Sequence, residues 1–133
     1  MSMINASITE IQSVDNLNIV SFDFSGTTLK MMSLDLSDEM QVGRKVILNV
    51  KPFHITIVKE FYGEISYSNK LNAVVQSYEN GELLSSVKLL VNGVVFESII
   101  TKELVLEMEL KIGDNVIVMI KASDLFIQEI ADD

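Results

Sequence analysis

The sequence predicts an all-β protein made of two small barrels in tandem, each with one short helical turn. Three observations predict it: short runs in which apolar residues alternate, turn pairs that close those runs into hairpins, and a pattern that occurs twice along 133 residues. INASITEIQSVDNLNIVSFDFSG (4–26) lies over LNAVVQSYENGELLSSVKLLVNG (71–93). Asn5 meets Asn72, Ala6 meets Ala73 and Gly26 meets Gly93, each 67 positions apart (72 − 5, 73 − 6, 93 − 26). Val20, Phe22 and Phe24 meet Val87, Leu89 and Val91 at the same offset, so apolar parity is kept along the second strand. Side chains alternate faces along a strand, and a one-residue slip would turn that set outward; shared parity therefore says more than the few identities do.

Each element follows in order. NIVSFDF and SSVKLLV alternate, and each ends in a turn pair, Ser25-Gly26 or Asn92-Gly93, that opens a hairpin. VGRKVILNVKPFHITI (42–57) then lies over IGDNVIVMIKASDLFI (112–127), pairing Gly43 with Gly113 and Lys51 with Lys121 at an offset of 70 (113 − 43). The second copy thus carries three extra residues (70 − 67) within TKELVLEMELK, where Leu104 and Met108 stand at i, i+4 and predict a short helix. The first copy has a tighter connection there, SLDLSDEMQ. Pro52, the only proline, falls at a strand end, where it costs least. Short strands with one helical turn, twice over, predict a pair of Greek-key barrels of the OB type. The expected division is 1–60 and 61–133, with the connection KEFYGEISYSNK (59–70) packed rather than swinging. VIVMI (116–120) is apolar on both faces and needs covering twice, which points to a further domain or chain and hence to oligomerisation.

Composition removes several classes of function. Ten Lys and Arg against nineteen Asp and Glu give a formal charge of −9, the wrong balance for holding nucleic acid through its phosphates. Local donors for a small anion remain compatible with it, because surface charge is screened beyond about 8 Å at physiological ionic strength. No cysteine is present, which excludes disulfides, zinc–thiolate sites, iron–sulfur clusters and thiol catalysis. MSMINASITE lacks a basic stretch followed by an apolar run, and the apolar runs fall far short of the ~20 residues that cross a bilayer. A cytoplasmic protein without membrane contact is expected.

At SYSNKLNAVV (66–75), ESIITKELV (97–105) and VIVMIKAS (116–123) the second copy resembles the TOBE, or Mop-like, family of molybdate-binding domains. Those domains open with Ser-Ala-Arg-Asn, carry Thr-x-x-Ser before a short helix, and end a strand with Lys-Ala-Ser. Residues 4–59 resemble the family more loosely, so the whole chain looks like a tandem, di-Mop arrangement whose first copy is degenerate. The resemblance implies a homo-oligomer, a trimer of tandem domains, with molybdate or tungstate held at subunit or domain contacts and no organic cofactor. Carried over residue by residue, Lys121, Ala122 and Ser123 match fully, and Thr101 matches the threonine of Thr-x-x-Ser, whose serine is Leu104 here. Ser66 and Asn69 match the opening motif, with Ser68 in place of its arginine and Lys70 adjacent. In the first copy Lys51 keeps the lysine, but Pro52-Phe53 replaces Ala-Ser and removes a hydroxyl and a backbone N–H. Its Pro-Phe-His ending is closer to the TOBE domains appended to transporter ATPases.

A tetrahedral oxyanion offers only acceptors, so its site must supply N–H groups, hydroxyls and a cation. Lys121 would supply the charge, Ser123 and Thr101 hydroxyls, and the backbone around Ala122 further donors. The function this implies is buffering, storage or delivery of molybdate or tungstate. The alternative is an oligomeric protein-interaction module of the same fold that has lost the anion. Catalysis has no foothold, because no nucleophile–base pair, phosphate loop or metal cluster can be assembled. His54, the single histidine, reads as a surface or packing residue, and the seven methionines as core filling. Asp15, Glu79, Glu82, Asp132 and Asp133 read as solvated charges. Asp124, beside the anion motif, would repel the ligand unless it points away.

Overall fold

The two copies fold into matching sheets that exchange their last strands. The computed structural model describes residues 3–131, so Asp132 and Asp133 lie outside the described residues. The first copy gives β1 (Ile4–Val14), β2 (Leu17–Phe24), β3 (Thr27–Leu34), β4 (Lys45–Asn49) and β5 (Thr56–Val58). The second gives β6 (Asn69–Asn80), β7 (Leu84–Val91), β8 (Val94–Thr101), helix α1 (Lys102–Glu107), β9 (Asn115–Ile120) and β10 (Phe126–Ile130). The hairpins turn where the sequence places them. Ser25 and Gly26 have φ of 49° and 86°, and Asn92 and Gly93 have φ of 47° and 80°, the paired positive φ values of a type I′ turn.

The sheets are ordered β10-β4-β1-β2-β3 and β5-β9-β6-β7-β8. Thus β5 completes the sheet of the second copy, pairing Thr56 with Met119, while β10 completes that of the first, pairing Phe126 with Asn49. Pro52 explains the departure of the first copy. It opens a one-turn 3-10 helix, Pro52–His54, and its missing N–H cannot extend the β4 ladder. The division into 1–60 and 61–133 is therefore a division of sequence, and each sheet takes a strand from across it.

The parity inferred from the repeat is the parity of the core. Val20, Phe22 and Phe24 are at most 2% exposed, and Val87, Leu89 and Val91 are wholly buried. Buried residues of both sheets form one apolar cluster, and Phe24 of one sheet packs on Phe96 of the other with ring centroids 6.4 Å apart. β3 is an edge strand, and its edge docks on the second copy. Lys30 N–H donates to Asn69 Oδ1 at 2.7 Å and Lys30 C=O accepts from Asn69 Nδ2 at 2.9 Å. Two residues on, Met32 N–H donates to the Ala122 carbonyl at 2.9 Å. A sheet edge with free polar groups is a site of unwanted pairing, and here a buried amide and one turn occupy part of it. Asn69→Ala should lower stability by about 2–3 kcal/mol, because two backbone groups lose their partner. The midpoint of urea unfolding measures it.

The short helix expected in the second copy forms as α1, where Val105 faces the core and Met108 is partly buried, whereas Leu104 is exposed; a six-residue helix turns only one narrow side inward. On β9, Met119 is buried on the outer face, flanked in the ladder by Thr56 of the first copy and by Lys70, with the Tyr67 hydroxyl reaching Thr56 Oγ1 at 3.2 Å. The neighbour that β9 gains on this edge is thus a strand of the other copy. One expectation needs correction: the connection 59–70 packs at its ends only, with Tyr62 almost fully exposed between them.

Lys59 fixes the first of those ends. Its ammonium donates to the Met108 and Glu109 carbonyls, each at 3.0 Å, at the C-terminal end of α1, and lies 3.1 Å from Asp114. The Asp114 carboxyl is held below its ordinary range, first by the Lys111 N–H and then by Lys59. A depressed carboxyl contributes stability that is present above its unfolded value and is lost as pH falls through the folded one. Thermal stability should therefore drop on acidification below about pH 4, the ordinary aspartate range. Asp114→Asn should show a shallower drop in calorimetric scans across that range.

Candidate functional site

Strand pairing brings the start of β6 and the end of β9 together. Asn69, which starts β6, stands opposite Ile120, which ends β9. The chain entering β6, Ser66-Tyr67-Ser68, therefore runs beside the turn leaving β9, Lys121-Ala122-Ser123. The Lys121 ammonium lies 5.9 Å from the Tyr67 ring centroid, within cation–π reach. This answers what a lysine does at the end of a core strand: its charge is steadied over an aromatic face rather than left to swing. The turn is closed by Asp124 N–H donating to the Lys121 carbonyl at 3.0 Å and is pinned to β3 through Ala122. Lys121 and Ser123 remain exposed, with their donors available.

Other expected residues have other partners. Asn69 is 1% exposed and spends its amide on Lys30, so it positions the turn. Thr101 lies at the end of β8, separated from β9 by β6 and β7. Its hydroxyl caps α1, accepting from Leu104 N–H at 3.3 Å. Ser66, Ser68 and Lys70 are exposed, with Lys70 opposite Met119 in the ladder.

Lys51 is drawn to the motif from the first copy. With His54, Ser123, Asp124 and Phe126 it lines a cavity of about 180 Å³. His54 Nδ1 lies 3.6 Å from Asp124 Oδ1, so the acid beside the anion motif is faced by the imidazole. His54, read from the sequence as a surface or packing residue, is exposed, and the offset of 70 that pairs Lys51 with Lys121 also pairs it with Asp124 (124 − 54).

Among the described residues no cluster of His, Asp and Glu could hold a metal cation, and no helix is long and apolar enough to cross a membrane. The cavity brings together the turns that follow β4 and β9, one from each copy. Residues 65–127 match the family model of the TOBE domain. Over its whole length the chain is similar to the crystal structure of the cytoplasmic molybdate-binding protein ModG with molybdate bound, at a TM-score of 0.88 and 23% sequence identity. The superposition covers 94% of this chain and 93% of that one, so the two-barrel fold is shared. Comparison with curated protein sequences finds no match.

Proposed function

We propose that the protein binds a tetrahedral oxyanion, molybdate or tungstate, in the cytoplasm as a buffer, store or carrier, without catalysis. The observation that supports this reading is the Lys121-Ala122-Ser123 turn, with Lys121 beside Tyr67 of the segment entering β6, in a chain whose residues 65–127 match the TOBE domain model. The likeness to ModG, a molybdate-binding protein, supports the same ligand. The donors engage the anion's oxygens by hydrogen bonds and by the lysine charge, and no side chain ligates the metal. Ala122 contributes through the backbone, and Asn69 holds the turn in place. Thr101, across the sheet from Lys121, serves an anion only in a homo-oligomer that brings a second chain to it, and a trimer is the proposed assembly.

A second reading has its own support. Thr101 already caps a helix, and Ser68 and Leu104 stand where the family pattern has an arginine and a serine. On that reading the fold persists as an interaction module without the anion. Native mass spectrometry separates the two. Molybdate-dependent mass increments on an intact oligomer support the proposal, and their number per chain shows whether Lys51 and the first copy contribute. An oligomer without increments supports the interaction module.

A further inference from the structure

His54 and Asp124 occupy equivalent positions in the two copies, and their side chains meet. Equivalent positions touch only where the local two-fold relation between the copies passes between them. The cavity of about 180 Å³ at that point has walls from both turns: Lys51 and His54 from the first copy, Ser123, Asp124 and Phe126 from the second. A water molecule takes about 30 Å³ of liquid volume, so this space has room for a small tetrahedral anion. Its charges are unusual for such a guest. Lys51 attracts a dianion, Asp124 repels it, and with a neutral imidazole the two cancel. With an imidazolium the cavity carries a net positive charge, and Asp124 has a cation beside it.

We propose that this cavity is an oxyanion subsite that loads together with a proton, His54 taking up one proton from solvent as the dianion enters. The inference rests on the anion-binding reading above and adds its regulation. Lys51 and Asp124 are the other ionisable groups lining the cavity. β8, packed against the 3-10 helix, carries one ionisable residue, Glu97, which is occupied by Ser86 and Lys88. β3, docked on the opposite turn, carries Lys30, whose side chain is exposed, and Lys121 lies over Tyr67. Histidine is the side chain whose ordinary charge change falls nearest neutral pH, and His54 is the histidine that lines the cavity.

The sign follows from linkage. An anion and an imidazolium attract each other, so anion binding and protonation favour one another and affinity falls as pH rises. Uptake of one proton makes that fall at most about tenfold per pH unit. The test is calorimetric titration of the full chain with molybdate from about pH 6 to 8.5, where molybdate stays a dianion and imidazoles titrate. It is repeated in two buffers of different ionisation enthalpy to count protons. The expected result is weakening with pH and net proton uptake. His54→Gln should remove both and retain the weak high-pH affinity, and Asp124→Asn should bind more tightly than wild type at high pH. Thermal melts confirm that each variant is folded. A pH-independent wild-type affinity, or a slope that survives in His54→Gln, overturns the inference while leaving the anion-binding reading intact. A folded wild type that binds no molybdate at any pH overturns both.

Discussion

The second copy alone, residues 61–133, should populate no folded monomer. Its sheet would lack β5, leaving the β9 edge that pairs Thr56, Ile57 and Val58 exposed beside Val118 and Met119, both buried in the full chain. Its β10 would lack β4, with Ile127 removed from the core it packs on. The lost contacts also include the hydrogen bond from Ser98, wholly buried, to the Ile55 carbonyl at 2.7 Å, and both contacts of Asn69 with Lys30. A domain of this size has only a few kcal/mol of stability in hand, and an unfilled sheet edge together with orphaned buried polar groups exceeds it. Circular dichroism and light scattering should show an unfolded chain, or a dimer in which two copies complete each other. A cooperatively melting monomer would contradict reciprocal strand exchange.

Replacing Lys121 by alanine should weaken molybdate binding by about tenfold to a hundredfold, since a hydrogen bond to a charged group contributes roughly 1.5–3 kcal/mol. Fold stability should change little, because the ammonium is exposed and its only described contact is with Tyr67. Lys70→Ala is the control: it removes the same charge a short distance away, where the side chain lies on the outer face of β6 opposite Met119. A loss specific to Lys121 marks a built site, whereas equal losses would mark general attraction to a basic patch.

Much of the fold was legible in the sequence, because repetition acts as an internal control. One copy's alternation could be chance, but the matched parity of Val20, Phe22 and Phe24 with Val87, Leu89 and Val91 could hardly be, and all six are core residues. The hairpin turns were legible because a type I′ turn tolerates few residue pairs. The strand exchange was not. Nothing in Thr56–Val58 or Phe126–Ile130 says which of two similar barrels each will join, since pairing partners are set by the direction in which the preceding turn sends the chain. The covering of Met119 stayed hidden for the same reason: its ladder neighbour Thr56 arrives with the exchanged strand.

At the candidate site, the KAS turn could be read from its motif, and the pairing of Asn69 with Ile120 brings the segment that carries Tyr67 towards it. Asn69 and Thr101 were visible as polar residues, but which polar group satisfies which is a tertiary fact. Asn69 is committed to a strand edge and Thr101 to a helix cap. His54 was read as a surface or packing residue because one histidine after a proline suggests no chemistry alone. Its meaning comes from Asp124, seventy residues away and placed against it by the symmetry of the copies.

Molybdate binding is tested by isothermal titration of the full chain with molybdate, with sulfate as a control of equal charge and shape but smaller size. Saturable heat with molybdate, a defined number of anions per chain, and little or none with sulfate are expected. A folded protein that gives no saturable heat with molybdate, or responds equally to both anions, would contradict the proposed function.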